Sequence, residues 1–340
     1  EPWKDRVLRG SRDGFVETLV SNAALLRRRI RDPRFSMELY GVGRRSRSDV
    51  AICYISDSVD QSVLNRMRKL IQSIDVDALT MNIESLAECM FTHKWINPFP
   101  KFKYSERPDT ATAAILDGNI VIMVDNSPAV MIIPASIFDI IEEADDFNFS
   151  PMIGSYLRIT RFFFSIVTWI LTPLWLLFVN NPDWVPEFMK FVLITDDITV
   201  PVLLQLLILE LAVDGLKLAA VNTPTMLSTP LSIVAGIVVG EYAVSSGWFN
   251  PEALLYMAVV TVGTYGQTNF EMGYAFKFLR VLTLILTQIF NLGGFIAGVV
   301  ISVLMIAFNR TITGKSYIYP LIPWDGKMLK RKVLRVRLPH

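Results

Sequence analysis

Apolar positions fall into two regimes along this chain. Up to about residue 150 they recur with the short periods of helices and strands, and from Phe162 onward they merge into blocks of membrane length. In the first regime Phe15, Leu19, Ala23, Leu26 and Ile30 recur at spacings of three and four, which predicts an amphipathic helix over Ser11–Ile30. Arg27, Arg28 and Arg29 occupy its last turn, where cations suit the helix dipole, and Asp32-Pro33 ends it. Val50–Ile55 is a short, β-branched run that predicts a buried strand. Helical periodicity returns over Ser62–Ile71, through Val63, Met67 and Leu70, and over Asn82–Phe91 with Asn82 as N-cap. Three apolar runs follow: Ala113–Leu116, Ile120–Val124 and Ala129–Ile133. The turn residues Asp117-Gly118-Asn119 and Asp125-Asn126-Ser127-Pro128 separate them, which predicts a three-stranded meander. Pro134 then opens a helix through Ile141, before the acidic break of Glu142, Glu143, Asp145 and Asp146. The alternation predicts an α/β or α+β domain over residues 1–150, with its strand order open.

In the second regime Phe162–Val179 carries no charge, is interrupted only by Pro173, and is flanked by Arg158 and Arg161. Asn180–Asp197 is an acidic connector rich in Pro and Trp. Thr199–Val221 is a second span that contains Glu210, Asp214 and Lys217, and Pro230–Ser246 is a third. Leu254–Tyr265 is short. Leu279–Phe308 is long and carries Asn291-Leu292-Gly293-Gly294 near its middle. The expected architecture is a cytoplasmic α/β (or α+β) domain, an α-helical multi-pass transmembrane domain over 151–320, and a basic cytoplasmic tail over 321–340.

Composition sharpens this division. Mean hydropathy is +0.40, yet residues 162–308 hold only thirteen charged side chains while residues 1–161 hold 21 Lys and Arg. Arg158 and Arg161 argue that the N-terminal domain lies inside, and Lys327, Lys330, Arg331, Lys332, Arg335 and Arg337 argue the same for the tail. Two inside ends require an even number of crossings, whereas five apolar segments are present. Either Leu254–Tyr265 does not cross, or Leu279–Phe308 folds back at Gly293-Gly294. The chain opens at Glu1 without an initiator Met or a signal peptide, which points to a fragment or a processed form. Its two cysteines, Cys53 and Cys89, read as reduced cytosolic thiols.

The candidate chemistry lies inside the membrane. Ionisable groups are costly there and usually face a bundle interior or a water path. Glu210, Asp214 and Lys217 stand at i, i+4 and i+7, on one helix face, with Asp214 and Lys217 close enough to pair. They form either an ion-pair network that locks two helices or a direct contact with ions or protons. In the third span Ser232, Gly236, Gly240, Ala243 and Gly247 make a small-residue stripe for helix packing. The opposite face carries Val234, Val238, Glu241 and Ser245, which would line a pore if several copies packed through the glycine face: a valine ring to gate it, a carboxylate ring to select cations. The alternative is that Glu241 pairs with a neighbouring helix.

Enzyme chemistry finds little material. His93 and His340 are the only histidines, which leaves no His-based triad, no multi-histidine metal site and no cofactor to expect. Thr313-Gly314-Lys315-Ser316 looks like the end of a phosphate loop, but Asn309 replaces the first glycine and an apolar helix, not a strand, precedes it. The arginines at 27–29 and 31 read as a solvated helix end or a subunit contact, not as a nucleic-acid surface.

The same residues carry a resemblance. Gly10-Ser-Arg-Asp-Gly-Phe-Val-Glu-Thr-Leu, Asn22 and Leu25-Leu-Arg-Arg-Arg-Ile-Arg-Asp-Pro33 resemble the N-terminal signature of the GerA-type spore germination protein family, in its A subunits. Tyr104-Ser-Glu-Arg-Pro-Asp109, the stretch from Leu116 to Pro128, Ser232-Ile-Val and Glu271-Met-Gly273 extend the likeness along the whole chain. Trp184-Val-Pro-Glu-Phe and the stretch from Leu209 to Pro224 resemble a branch other than the germinant-receptor A subunits. The resemblance implies a protein of the spore inner membrane, with more sequence ahead of the first motif. It further implies assembly as a homo-oligomeric, pentameric channel that releases monovalent cations and amplifies a signal begun by the receptors, with a small membrane partner protein. Glu210, Asp214 and Lys217 fall on acidic, acidic and basic family positions. An ion-conducting subunit with a cytoplasmic assembly domain is therefore the leading expectation. A germinant-receptor A subunit that transduces nutrient binding is the second, and a carrier with a midplane site at Glu210, Asp214 and Lys217 is the third.

Overall fold

Strands β1 (Phe35–Val42), β2 (Ser48–Ile55), β3 (Lys103–Ser105), β4 (Ile120–Val124) and β5 (Val130–Ile133) form one sheet in the order β1-β2-β4-β5-β3, every neighbouring pair antiparallel. This is seen in a computed structural model that describes residues 2, 5, 7–91, 97–196, 199–222 and 236–336, without the side chains at 238 and 239. The central strands are apolar on both faces because helices cover both. Val50, Ile52, Tyr54, Ile120, Ile122, Val124, Met131 and Ile133 point to one core. Ala51, Cys53, Ile55, Val121, Met123, Val130 and Ile132 point to the other. Helices α1 (Leu19–Arg29), α2 (Gln61–Gln72), α3 (Ile83–Met90) and α4 (Pro108–Leu116) supply the covers. Val63, Leu64, Met67 and Ile71 of α2 and Ile83 and Leu86 of α3 fill the first core; Leu19 and Leu26 of α1 and Ala111 and Ile115 of α4 fill the second. The short helices α5 (Ile137–Ile141) and α6 (Asp145–Asn148) follow, α5 opened by a Ser136–Asp139 capping box rather than by Pro134.

Three expectations are corrected here. The meander is a helix followed by a hairpin. Pro108 at the first helical position, Asp109 in the first turn and the alanines at 111, 113 and 114 make residues 108–116 helical. Asp117-Gly118-Asn119 then closes that helix instead of turning a hairpin. The Asn119 N–H donates to the Ala114 carbonyl at 2.9 Å and the Gly118 N–H to that of Ile115 at 3.1 Å, with Gly118 at φ 86°. A Cβ at Gly118 would also lie 2.7 Å from the Ser58 carbonyl oxygen. The first helix begins at Leu19, not Ser11, because the preceding backbone is engaged elsewhere: the Phe15 N–H donates to the Glu106 carbonyl and Asn22 Oδ1 accepts from the Val16 N–H. Asp125 Oδ1, from the far end of β4, accepts from the Leu19 N–H at 3.0 Å and so caps α1. Asn82 does not cap α3 with its side chain; it sits at φ 47° and donates to the Asn126 carbonyl.

Beyond α6 the described residues include α7 (Pro151–Asn180), α8 (Val202–Asn222), a π-helical segment (Gly236–Tyr242) with a short turn (Ala243–Ser245), α9 (Pro251–Tyr265), α10 (Phe270–Ala307) and, near the C-terminus, α11 (Gly326–Val333). Two of these, α7 and α10, are long and apolar enough to cross a membrane. Pro173 lies inside α7 without ending it. Contacts divide the chain into two compact units, one of residues 1–159 with 306–340, the other of residues 160–305. Within the first unit the C-terminal residues are tied to the sheet domain. Ile312 joins its core, and the Lys101 ammonium contacts Asn309 Oδ1 and donates to the Arg310 carbonyl at 2.8 Å. Burial pushes Lys101 down to about 8.

Within the second unit α10 is a hairpin. Asn291, at φ 51° and ψ −129°, breaks the helix. A Cβ at Gly294 would lie 1.7 Å from the Leu286 carbonyl oxygen, and one at Gly298 would lie 2.9 Å from Thr283 Cα. Two arms therefore run antiparallel along a small-residue seam of Thr283, Thr287, Gly294, Gly298 and Ser302, all buried. Leu279–Phe308 thus folds back, with its turn at Asn291 just ahead of Gly293-Gly294. Asn181 and Asn291 exchange amide hydrogen bonds at 2.6 and 2.9 Å, which fixes the turn to the end of α7.

Candidate functional site: charges in the helical unit

Glu210, Asp214 and Lys217 share one face of α8, as their spacing predicts, and that face meets α10. Arg280 of α10 donates from Nε to Glu210 Oε1 at 2.5 Å and from its terminal nitrogen to the Thr168 carbonyl of α7. Lys277 pairs with Asp214 directly, lies 3.5 Å from Glu210 Oε2, and donates to the Glu210 carbonyl at 3.1 Å. The expected Asp214–Lys217 pair is present only at 3.9 Å; Asp214 has Lys277 as its closer partner. Lys217 instead places its ammonium 5.3 Å from the Tyr265 ring centroid and 5.5 Å from that of Tyr274.

These groups line a cavity of about 60 Å³ that Met257, Val260 and Gln267 help to close. A water needs only about 10–15 Å³ measured in this way, plus polar partners. Asp214 Oδ1 and Gln267 Oε1 supply two buried acceptors that accept no hydrogen bond among the described residues. The Lys217 ammonium offers donors nearby. The balance of the cluster is two carboxylates against three cations, an excess of one positive charge. Such a site stiffens a helix pair and hydrates well, but its surplus charge opposes a permeating cation.

The third segment behaves differently. Ser232 and Val234 lie outside the described residues, as does the side chain of Val238. From Gly236 to Tyr242 the helix is π-wound. Hydrogen bonds from i to i+5 widen each turn, which draws Glu241 toward the line of Gly236 rather than leaving it on the opposite face. Among the described residues, a Cβ at Gly236 or Gly240 would meet nothing within 4 Å. Glu241 and Ser245 are exposed, Ala243 is half-buried, and Gly247, at φ 74°, serves the turn after the helix. Among the described residues Glu241 has neither an ion pair nor a hydrogen bond to its carboxylate.

The pattern along α8 gave the acidic half of the charge cluster and missed its partners. Lys277 and Arg280 lie in the stretch Phe270–Arg280, around the start of the apolar run Leu279–Phe308, and have no role assigned from sequence. Their i, i+3 spacing, which puts both on one helix face as i, i+4 does for Glu210 and Asp214, was the available signal.

The Bacillus/Clostridium GerA spore germination protein family matches the chain over residues 1–340. Stage V sporulation protein AF of Bacillus subtilis (strain 168) is 38% identical over 339 residues, covering 100% of this chain and 68% of that protein. This agrees with the branch that the Leu209–Pro224 stretch resembles. The uncharacterized membrane protein YfkQ of the same organism is 28% identical over 335 residues, covering 97% of this chain and 64% of that protein. The crystal structure of the N-terminal domain of the A subunit of the Bacillus megaterium spore germinant receptor GerK3 shares 32% identity at a TM-score of 0.29, covering 35% of this chain and 94% of that one. The chain spans about two thirds of the length of the two Bacillus subtilis relatives. Matched from end to end by the family, and by a relative at 38% identity, this chain belongs to the GerA spore germination proteins.

Proposed function

We propose that the chain is the membrane subunit of a homo-oligomeric ion channel that releases monovalent cations and amplifies the signal during spore germination. One observation carries the reading. Of the carboxylates singled out in the helical unit, Glu210 and Asp214 have cationic partners within the chain, whereas Glu241 has none among the described residues. It is offered outward beside two glycines whose faces are open. An outward carboxylate in an apolar stretch is costly in lipid and becomes useful when several copies bring it to a shared axis. In a pentamer the copies would form a ring of carboxylates that concentrates cations and repels anions. The compensated, net-positive cluster of α8 and α10 then serves as the clamp that holds each subunit's helices, not as the ion path. Residues 1–159 and 306–340 fold into one compact unit, which supports an even number of crossings with both ends on the cytoplasmic side. Receptor subunits or a small membrane protein are the partners that the family implies.

Purified protein in planar bilayers tests this. Current without nutrient or partner is expected, with a reversal potential across a KCl gradient that favours potassium. Glu241→Gln should assemble normally and move that potential toward zero. A conducting Glu241→Gln variant with an unaltered reversal potential would remove Glu241 from the pore.

A further inference from the structure

The unit formed by residues 1–159 and 306–340 carries an apolar edge that the chain leaves uncovered. Leu321, Ile322 and Trp324 are 40%, 56% and 71% exposed, and Met152 and Tyr156, at the start of α7, are 86% and 68% exposed. Three cations follow directly. Lys327, Lys330 and Arg331 are spaced i, i+3 and i+4, share one face of α11, and are all exposed. None of the three forms an ion pair among the described residues. Lys332, on another face, is consumed by Asp139 and by Glu142 at 3.7 Å.

This edge is rigidly held. Asp325 caps α11, accepting from the N–H groups of Lys327 and Met328 at 3.1 and 3.0 Å. At the other end the buried Arg158 donates to the carbonyls of Arg331 and Lys332 at 2.9 and 3.0 Å, satisfying the last turn of α11. Glu142 at 2.8 Å and Asp146 at 3.3 Å hold that guanidinium. The Arg335 N–H donates to Ser155 Oγ at 3.0 Å, which seats the chain after α11 beside the first turns of α7.

We propose that this edge is a docking surface for anionic phospholipid: Leu321, Ile322 and Trp324 enter the acyl boundary while Lys327, Lys330 and Arg331 bind headgroup phosphates. Aromatic and aliphatic side chains beside exposed, unpaired cations match the interfacial layer of a negatively charged bilayer. The continuity of α7 favours lipid over an acidic protein. The helix begins in this unit and carries no charged side chain from Phe162 to its end at Asn180. The inference rests on the membrane reading above and adds a lipid class and the residues that select it.

The test uses the full chain in phosphatidylcholine nanodiscs in which a fixed fraction of the lipid carries brominated acyl chains, on either phosphatidylcholine or phosphatidylglycerol. The Trp324 signal is the wild-type tryptophan fluorescence minus that of Trp324→Phe. Both brominated lipids should quench it, and brominated phosphatidylglycerol should do so at least about twofold more strongly at equal bromine. K327Q/K330Q/R331Q should abolish that preference but keep the quenching; K327R/K330R/R331K should retain both. An unquenched Trp324, as expected of a surface reserved for a protein partner, overturns the proposal. So does a preference that survives in the glutamine variant. Incorporation reads the membrane proposal separately: a chain that stays out of the disc sinks both, whereas one that enters with Trp324 unquenched sinks only this inference.

Discussion

Arg158 in the sheet-bearing unit and Arg280 in the helical unit are 1% and 2% exposed, and each is saturated by its own chain. Arg158 has Glu142, Asp146 and two carbonyls; Arg280 has Glu210 and the Thr168 carbonyl. In that respect the two units are built alike. They part at their surfaces. The sheet buries both faces under its own helices, whereas the helical unit exposes Ile285, Ile289, Phe290, Ile296 and Val300 and, among the described residues, leaves Glu241 without a partner. The difference separates what the chain completes alone from what it leaves to its surroundings. Buried charge is settled internally in both units. In the helical unit that exposed apolar surface runs along both arms of α10, and the Glu241 carboxylate stands exposed without a partner among the described residues.

The largest expected effect breaks the shared half of that comparison. Arg280→Met removes the closest partner of the buried Glu210 and leaves it only Lys277, 3.5 Å away; breaking a buried pair in this way costs up to about 3–5 kcal/mol. Thermal unfolding of the detergent-solubilised protein, followed by size-exclusion chromatography, should show a large drop in melting temperature. Adding Glu210→Gln should recover much of it. Lys217→Met should cost clearly less, because its nearest carboxylate oxygen is 3.9 Å away and Asp214 keeps Lys277. Equal damage from Lys217→Met and Arg280→Met would mean that these distances do not rank the interactions.

That ranking also shows where the sequence was legible. Periodicity located β2, α2, β4, β5 and the acidic face of α8, because each is a local pattern with one dominant neighbour. It failed where the outcome depends on a distant segment. Residues 11–18 look helical until Glu106 takes up the Phe15 N–H, and β3 is too short, at three residues, to show a period at all. Ala113–Leu116 was misread for another reason. The apolar run was weighed without Pro108 and Asp109, the residues that start its helix. In the charge cluster one sequence window displayed Glu210 and Asp214, while their partners Lys277 and Arg280 lie 63 to 70 positions away. The π winding around Glu241 has no signature in an apolar run of Val, Ile and Gly, so the face assignments there followed a 3.6-residue period that the backbone does not keep.

A second, smaller effect sharpens the account of the α10 hairpin. Gly293 and Gly294 are neighbours with opposite surroundings. Among the described residues a Cβ at Gly293 meets nothing within 4 Å, whereas one at Gly294 would lie 1.7 Å from the Leu286 carbonyl oxygen. Gly293→Ala should be neutral or stabilising by up to about 1 kcal/mol, the helix preference of alanine over glycine. Gly294→Ala must push the arms apart and should cost about 1–3 kcal/mol or more, as overpacking does. The same unfolding assay reads both. Two variants of equal stability would show that the arms do not meet at this seam.

The smallest effect belongs to the sheet unit and to acid. The Arg68 guanidinium, hydrogen-bonded to Glu38, holds that carboxyl down to about 2 against the opposing push of burial, with help from the Tyr54 and Tyr40 hydroxyls. The folded value lies below the unfolded one, so between about 4.5 and 2 the folded state binds fewer protons than the unfolded state. The stabilisation is therefore complete above that window and falls away as pH drops through it. Arg68 and Glu38 are 30% and 26% exposed, and solvent screening keeps the contribution modest. Hydrogen exchange at the amides of β1 and β2, which Glu38 and Tyr54 bridge, should speed up between about pH 5 and about pH 3 after correction for intrinsic rates. Glu38→Gln should start from a lower protection and lose less of it over the same range. If wild type and Glu38→Gln lose protection in parallel, the acid sensitivity of this edge comes from another carboxylate, and the Glu38–Arg68 pair contributes to geometry without contributing to the pH dependence.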